Sequence, residues 1–173
     1  MKIIKANKKH LFQIFNLAKN FGIENFPQEE LQNKGFLVSG FSAEDYTEFI
    51  NTTEHFYLYF DNKKLAGFIL AYNRQQIKPD EWLNNEIKNR EKEGFVLVKQ
   101  IVVDDAWQGK GIARQLYEYL FTRMNENVCY AVIVTEPVNL RSINFHTKLG
   151  FEKVFDALPP DALKRGVWRK ILK

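Results

Sequence analysis

The residues best suited to chemistry gather in one stretch, Ile101-Val102-Val103-Asp104-Asp105-Ala106-Trp107-Gln108-Gly109-Lys110-Gly111-Ile112-Ala113. An apolar, β-branched run enters a turn holding two glycines, and the turn opens an amphipathic helix pattern. Glycines let a backbone approach a ligand closely. The first amides of a helix lack intrahelical partners, and the helix dipole adds positive charge, so such a turn suits an anion such as phosphate. Lys110 and Arg114 stand ready to neutralise it. A plain strand-to-helix turn would use the same glycines. Two phosphate motifs fail here: a dinucleotide fingerprint needs glycine where Arg114 stands, and a P-loop needs a different glycine spacing followed by Lys-Ser/Thr. What remains is Gln108-x-x-Gly111-x-Ala113.

The elements that must position this turn follow from periodicity. Ile3-Ile4 reads as a first strand, and Asn7 caps a helix carrying Leu11, Ile14, Phe15 and Ala18, closed by Gly22. Pro27-Gln28-Glu29-Glu30-Leu31 reads as the start of a second helix, with Pro at the first turn and acids behind it, and 44–50 as a further short helix. Residues 55–60 and 65–72 form a hairpin around a four-residue turn. The polar connection 74–93 is longer than a hairpin needs; within it Pro79-Asp80-Glu81 opens a helix presenting Leu83 and Ile87. A buried strand over 95–103 precedes a helix over 108–124 with the stripe Ile112, Leu116, Leu120, Met124. Residues 128–134 form a strand and 139–149 a helix stopped by Gly150. Strands over 151–155 and 167–172 finish a mixed α/β (α+β) sheet.

With 173 residues, 45% of them hydrophobic and 14% aromatic, the chain is expected to form a single domain over 1–173 with an ample core. A net charge of +4 suits anionic ligands, but no clustered basic stripe or aromatic RNA-binding motif supports nucleic-acid recognition. The single cysteine, Cys129, rules out an internal disulfide and leaves a zinc cluster without ligands. It reads as a buried, inert thiol. Ile3-Ile4 is far shorter than the apolar core of a signal peptide, and the longest apolar run, 128–134, is far shorter than a membrane span. A soluble cytoplasmic protein without metal is expected.

Three further pieces accompany the Gln-x-x-Gly turn in order. They are Lys64-Leu65-Ala66-Gly67-Phe68-Ile69, the strand Ile101-Val102-Val103, and Asn139-Leu140-Arg141-Ser142-Ile143-Asn144-Phe145-His146-Thr147-Lys148-Leu149-Gly150-Phe151. Together they resemble the GNAT superfamily, the acyl-CoA-dependent N-acyltransferases. The resemblance implies a mostly antiparallel sheet of six or seven strands flanked by helices, with acetyl-CoA as co-substrate. It implies that the backbone of Gln108, Gly109, Lys110, Gly111, Ile112 and Ala113 cradles the pyrophosphate, helped by Arg114. Ile101 and Val103 would pair with the pantetheine amides, with Val102 facing the other way, and Asn139, Ser142 and Phe145 would line the same arm. Asn139 is also a good helix cap in its own right.

Two positions depart from the family pattern. Many relatives carry Tyr where His146 stands, placed to protonate the leaving thiolate; an imidazole could take that part, or could simply be satisfied by a helix carbonyl. Some relatives carry Glu where Val134 stands, which leaves Glu136, Glu54, His55 or a water chain as candidate bases. The expected reaction is direct transfer of a short acyl group to an amine, with no acyl-enzyme. The acceptor, a small molecule or peptide, is expected near the N-terminal helices and the 74–93 connection, with Phe26, Phe36, Phe41, Tyr46 and Trp82 as candidate wall residues. A homodimer is open. The alternative is a non-catalytic sensor or scaffold that binds acyl-CoA.

Overall fold

In a computed structural model that describes residues 2–38 and 40–172, seven strands form one sheet in the order β1-β2-β3-β4-β5-β7-β6. They are β1 (Lys2–Lys5), β2 (His55–Asp61), β3 (Lys64–Asn73), β4 (Val96–Val103), β5 (Val128–Glu136), β6 (Glu152–Ala157) and β7 (Lys164–Ile171). The described α-helices are α1 (Leu11–Asn20), α2 (Ala43–Thr52), α3 (Trp82–Arg90), α4 (Ile112–Phe121) and α5 (Leu140–Lys148). Pairings are antiparallel for β1–β2, β2–β3, β5–β7 and β6–β7 and parallel for β4–β5. This is the mixed, mostly antiparallel sheet the sequence leads one to expect. The chain divides into two compact units: Met1–Asn25, Leu37–Ala71 and Lys99–Met124 form the first, and Phe26–Phe36, Tyr72–Val98 and Asn125–Lys173 the second.

In the first unit the core is aromatic. Tyr46, Phe56 and Phe68 are all at most 1% exposed and meet at ring distances of 5.7–6.5 Å. Helix α4 buries Ile112, Leu116, Tyr117 and Leu120, the stripe that its periodicity predicts. Ser42 and Asp45 cap α2 reciprocally, which starts this helix at Ala43. The Tyr46 hydroxyl then donates to Gln100 Oε1 at 2.7 Å, satisfying a buried amide on β4. Gly67 is required by proximity: a Cβ there would lie 2.6 Å from the Val102 carbonyl oxygen.

The second unit has its own core of Tyr72, Leu83, Ile87, Phe95, Tyr130 and Val167. The 74–93 connection is folded into it, since Leu83 and Ile87 of α3 are buried there. Its end is tied down as well. Glu91 accepts a hydrogen bond from the Tyr130 hydroxyl at 2.9 Å and pairs with Arg169 at 3.3 Å, while Arg74 donates to the Glu91 and Glu93 carbonyls.

Three local expectations are corrected. Residues 27–31 form turns rather than a helix, through Glu30 N–H to the Pro27 carbonyl and Asn33 N–H to the Glu30 carbonyl. Only Leu31 is buried in this stretch, and Lys34-Gly35 offers no second apolar residue to hold a helix against a core. The hairpin loop has two residues, Asn62-Lys63, because Asp61 pairs with Lys64; Asn62 takes the positive φ of 55° that such a turn demands. Helix α4 begins at Ile112, not Gln108, since Gly109 and Gly111 both adopt φ 76°.

Candidate active site

The glycine turn belongs to the first unit. Asp104 accepts from the Ala106 amide at 2.9 Å and opens a short 3-10 turn over Asp105–Trp107. Gln108 Nε2 braces that turn by donating to Asp105 Oδ1 at 2.6 Å and to the Val103 carbonyl at 3.3 Å. Trp107 is half-buried, its indole N–H donating to Asp61 at 3.1 Å. The chain then passes through two left-handed glycines, both exposed. A Cβ on Gly109 would meet nothing within 4 Å, and one on Gly111 only the Gln115 amide at 4.0 Å. Gly111 is the N-cap of α4 and no side chain caps that helix, so the first-turn amides have neither an intrahelical partner nor a side-chain cap. Lys110 donates to the Ala106 carbonyl at 3.0 Å and Arg114 pairs loosely with Glu118 at 3.6 Å, both exposed. Backbone arranged in this way suits an anion.

On β4, buried Gln100 and Val102 alternate with half-buried Lys99, Ile101 and Val103. In a strand these two sets lie on opposite faces. Ile101 and Val103 therefore share a face and Val102 does not, the alternation expected from the sequence.

The C-terminal helix belongs to the second unit. Asn139 is 4% exposed and tied at both ends of its amide: Oδ1 accepts the Ser142 amide at 3.1 Å, and Nδ2 donates to the Phe36 carbonyl at 3.2 Å. The cap was legible in the sequence, but the tie across 103 positions was not. Replacing Asn139 by Ala should cost about 2–4 kcal/mol, from a lost cap and a stranded carbonyl. Asn139→Asp keeps the cap but sets a buried carboxylate oxygen against the Phe36 carbonyl, so it should lose the tie and add a repulsion. Thermal melts check this, and an unshifted melting temperature for Asn139→Ala would refute it.

His146 is 3% exposed, and its Nδ1 lies 2.8 Å from the Ser142 carbonyl and 3.3 Å from the Ser142 hydroxyl. Phe145, half-buried, and Phe151 stand edge-on to the ring at 5.1 and 5.3 Å. Burial pushes the imidazole down to about 4, so it is neutral at pH 7 with its Nδ1 proton directed to the helix carbonyl. In the unfolded chain a histidine titrates near 6.5. Unfolding therefore takes up a proton when the pH lies below that value. The stability His146 contributes is complete above pH 6.5 and is lost as pH falls toward 4, by roughly 3 kcal/mol. Urea midpoints at pH 7.5 and 4.5 should show this fall, and His146→Phe should lessen it; an identical fall in both proteins would exclude His146 as its source.

The other acid–base candidates are placed as follows. Glu136 is exposed and pairs with Lys164 at 2.8 Å, Glu54 is exposed, and His55 is 2% exposed with Nδ1 3.1 Å from the Tyr57 hydroxyl. Val134 is buried, its carbonyl accepting the Asn139 amide at 3.1 Å. Of the candidate wall residues, Phe41 and Tyr46 meet edge-on at 5.8 Å in the first unit. Phe26, Phe36 and Trp82 belong to the second, with Trp82 48% exposed. Cys129 is fully buried and its thiol pKa is raised by burial, which makes it unreactive.

Comparison with known proteins decides the family. The profile of the Acetyltransferase (GNAT) family matches residues 12–151. The chain belongs to this family. Solved GNAT structures share its fold. A GNAT family acetyltransferase from Streptococcus agalactiae has 15% identity and a TM-score of 0.73, covering 99% of this chain and 95% of its own. The ribosomal-protein-S18-alanine N-acetyltransferase from Escherichia coli has 15% identity and a TM-score of 0.65, covering 99% and 94%. Naa50 from Arabidopsis thaliana, solved with the bisubstrate analogue CoA-Ac-MVNAL, has 17% identity and a TM-score of 0.67, covering 98% and 97%. Among proteins of curated function none matches the sequence. No described helix is long and apolar enough to cross a membrane, and no group of three or more His, Cys, Asp or Glu among the described residues could hold a metal ion.

Proposed function

We propose that this GNAT protein is a cytoplasmic N-acetyltransferase moving a short acyl group from acetyl-CoA to an amine. The observation that carries the reading is the uncapped start of α4 behind two left-handed glycines. Backbone amides of Gln108 to Ala113 would hold the pyrophosphate, with Lys110 and Arg114 adding charge. Ile101 and Val103 would pair with the pantetheine arm as an added strand does. Asn139, Ser142 and Phe145 would line that arm, Asn139 through the second proton of Nδ2. The backbone N–H near Ile101 would face the thioester carbonyl oxygen, where charge develops.

Acetyl-CoA supplies an activated thioester: the amine nitrogen forms the new C–N bond, the C–S bond breaks, and the amine proton ends on the thiol. Two features of this chain shape the proton's route. Val134 offers no carboxylate base, and neutral His146 holds its Nδ1 proton against Ser142. We therefore propose that solvent carries the proton and that His146 fixes α5, in place of the donor role expected from sequence. The main contribution of the protein is then to align amine and thioester.

A calorimetric titration with acetyl-CoA, followed by thiol-release assays over an amine panel, tests the reading. Binding with turnover supports it. Absence of acetyl-CoA binding would overturn it. Binding without turnover on any amine would establish the second reading, an acyl-CoA sensor, which the buried neutral His146 also fits.

A further inference from the structure

The glycines of the turn give it freedom to bend and nothing to hold the bend in place. Gly109 and Gly111 both sit at φ 76°, and the space a side chain would fill is open at each. The shape of the turn must therefore be set from its two ends. Behind Gly111 the chain is fixed by α4, whose Ile112 is buried. Ahead of Gln108 it is fixed by Trp107. This half-buried residue donates its indole N–H to Asp61 at 3.1 Å, across 46 positions of sequence. Asp61 closes β2 and pairs with Lys64 across the hairpin, so the acceptor oxygen stands on a braced element. A second bond joins the same two segments, from the Asp104 amide to the Ala66 carbonyl on β3 at 3.0 Å. Lys110 folds back onto this anchor. Its ammonium lies 5.9 Å from the centre of the Trp107 ring and donates to the Ala106 carbonyl at 3.0 Å. One carboxylate thus holds the ring that steadies both the entry to the turn and its lysine.

We infer that Asp61 is a positioning residue of the CoA site, acting through Trp107 to keep the glycine turn in the shape that receives the pyrophosphate. The inference rests on the acyl-transfer reading, because that reading puts the pyrophosphate at this turn. The sign of the effect distinguishes it from simple electrostatics. Asp61 is a negative charge on the segment that braces an anion site, so Coulomb forces alone make its removal favour acetyl-CoA. Positioning makes the opposite demand: a turn released at one end must be ordered on binding, and affinity falls. Asparagine separates the two, since its side-chain oxygen still accepts the indole proton while the charge is gone.

The test is a calorimetric titration of the full chain with acetyl-CoA, for the wild type, Asp61→Ala, Asp61→Asn, Trp107→Phe and the double variant Asp61→Ala with Trp107→Phe. Asp61→Ala should raise the dissociation constant by about fivefold or more, the scale of one lost hydrogen bond that ordered a binding loop. Asp61→Asn should recover most of that loss. Trp107→Phe removes the same N–H and should weaken binding to a similar degree, and the double variant should be little worse than either single one. Unchanged or tighter binding by Asp61→Ala, a loss in Asp61→Asn as large as in Asp61→Ala, or additive losses in the double variant would overturn the inference. Thermal melts separate a merely structural tie, which would lower the melting temperature and leave acetyl-CoA affinity intact, and that result would overturn it as well. Absence of acetyl-CoA binding by the wild type would instead strike the acyl-transfer reading itself, and this inference with it.

Discussion

Gly111→Glu should raise the dissociation constant for acetyl-CoA at least a hundredfold while the protein stays folded. The open space above Gly111 means that a side chain there collides with nothing but the far end of Gln115. Its φ of 76° costs any L-residue about 1–2 kcal/mol, a penalty that Ala and Glu share. The carboxylate adds a negative charge within several ångströms of a bound pyrophosphate, worth about 3 kcal/mol at an effective dielectric near 20. Gly111→Ala is thus the control: it carries the backbone strain alone and should weaken binding by roughly tenfold or less. Calorimetry with circular dichroism on both variants decides the matter. Normal acetyl-CoA affinity in Gly111→Glu would remove the turn from the binding site, whatever else the protein does.

Gly67→Ala should strongly destabilise the sheet. The added Cβ would stand 2.6 Å from the Val102 carbonyl oxygen and 3.2–3.3 Å from Val103 atoms. The nearest of these is backbone, so β3 and β4 must part locally. We expect a loss of about 3 kcal/mol, near the upper end for overpacking, and a melting temperature lower by roughly 6–12 °C. Because Val102 and Val103 lie on the strand assigned to the pantetheine arm, acetyl-CoA affinity should fall as well. A melting temperature within 2 °C of wild type would show that the strands absorb the methyl without cost.

Much of this was legible before any coordinate. The α4 stripe, the helix within the 74–93 connection and the Gly150 stop all follow from spacing alone. The phosphate turn was readable because glycine at two alternate positions before an amphipathic run leaves few backbone options. The sequence could not show that His146 is enclosed by Phe145 and Phe151, since burial depends on rings brought in from the packed chain. Nor could it show the bond from Asn139 to Phe36, because a hydrogen bond to a carbonyl asks nothing of the partner's side chain. The failed helix at 27–31 teaches the converse. Proline and acids mark a helix start, yet a helix also needs a second buried turn to hold it.

The division of the chain bears on how the protein comes to be made. Each unit is stitched from three separated stretches. As the chain leaves the ribosome, β2 and β3 can pair early as a local hairpin, and β1 must wait for residues 55–61 to find its partner. Their unit still waits for Lys99–Met124 to supply the second half of β4 and helix α4. The segment 26–36 waits longer, since the side-chain amide that donates to its Phe36 carbonyl belongs to residue 139. Neither unit can be excised as one continuous fragment. The nascent chain must carry unpaired strand edges and exposed aromatic surface through most of its synthesis, the condition under which chaperones engage a protein and misassembly competes with folding.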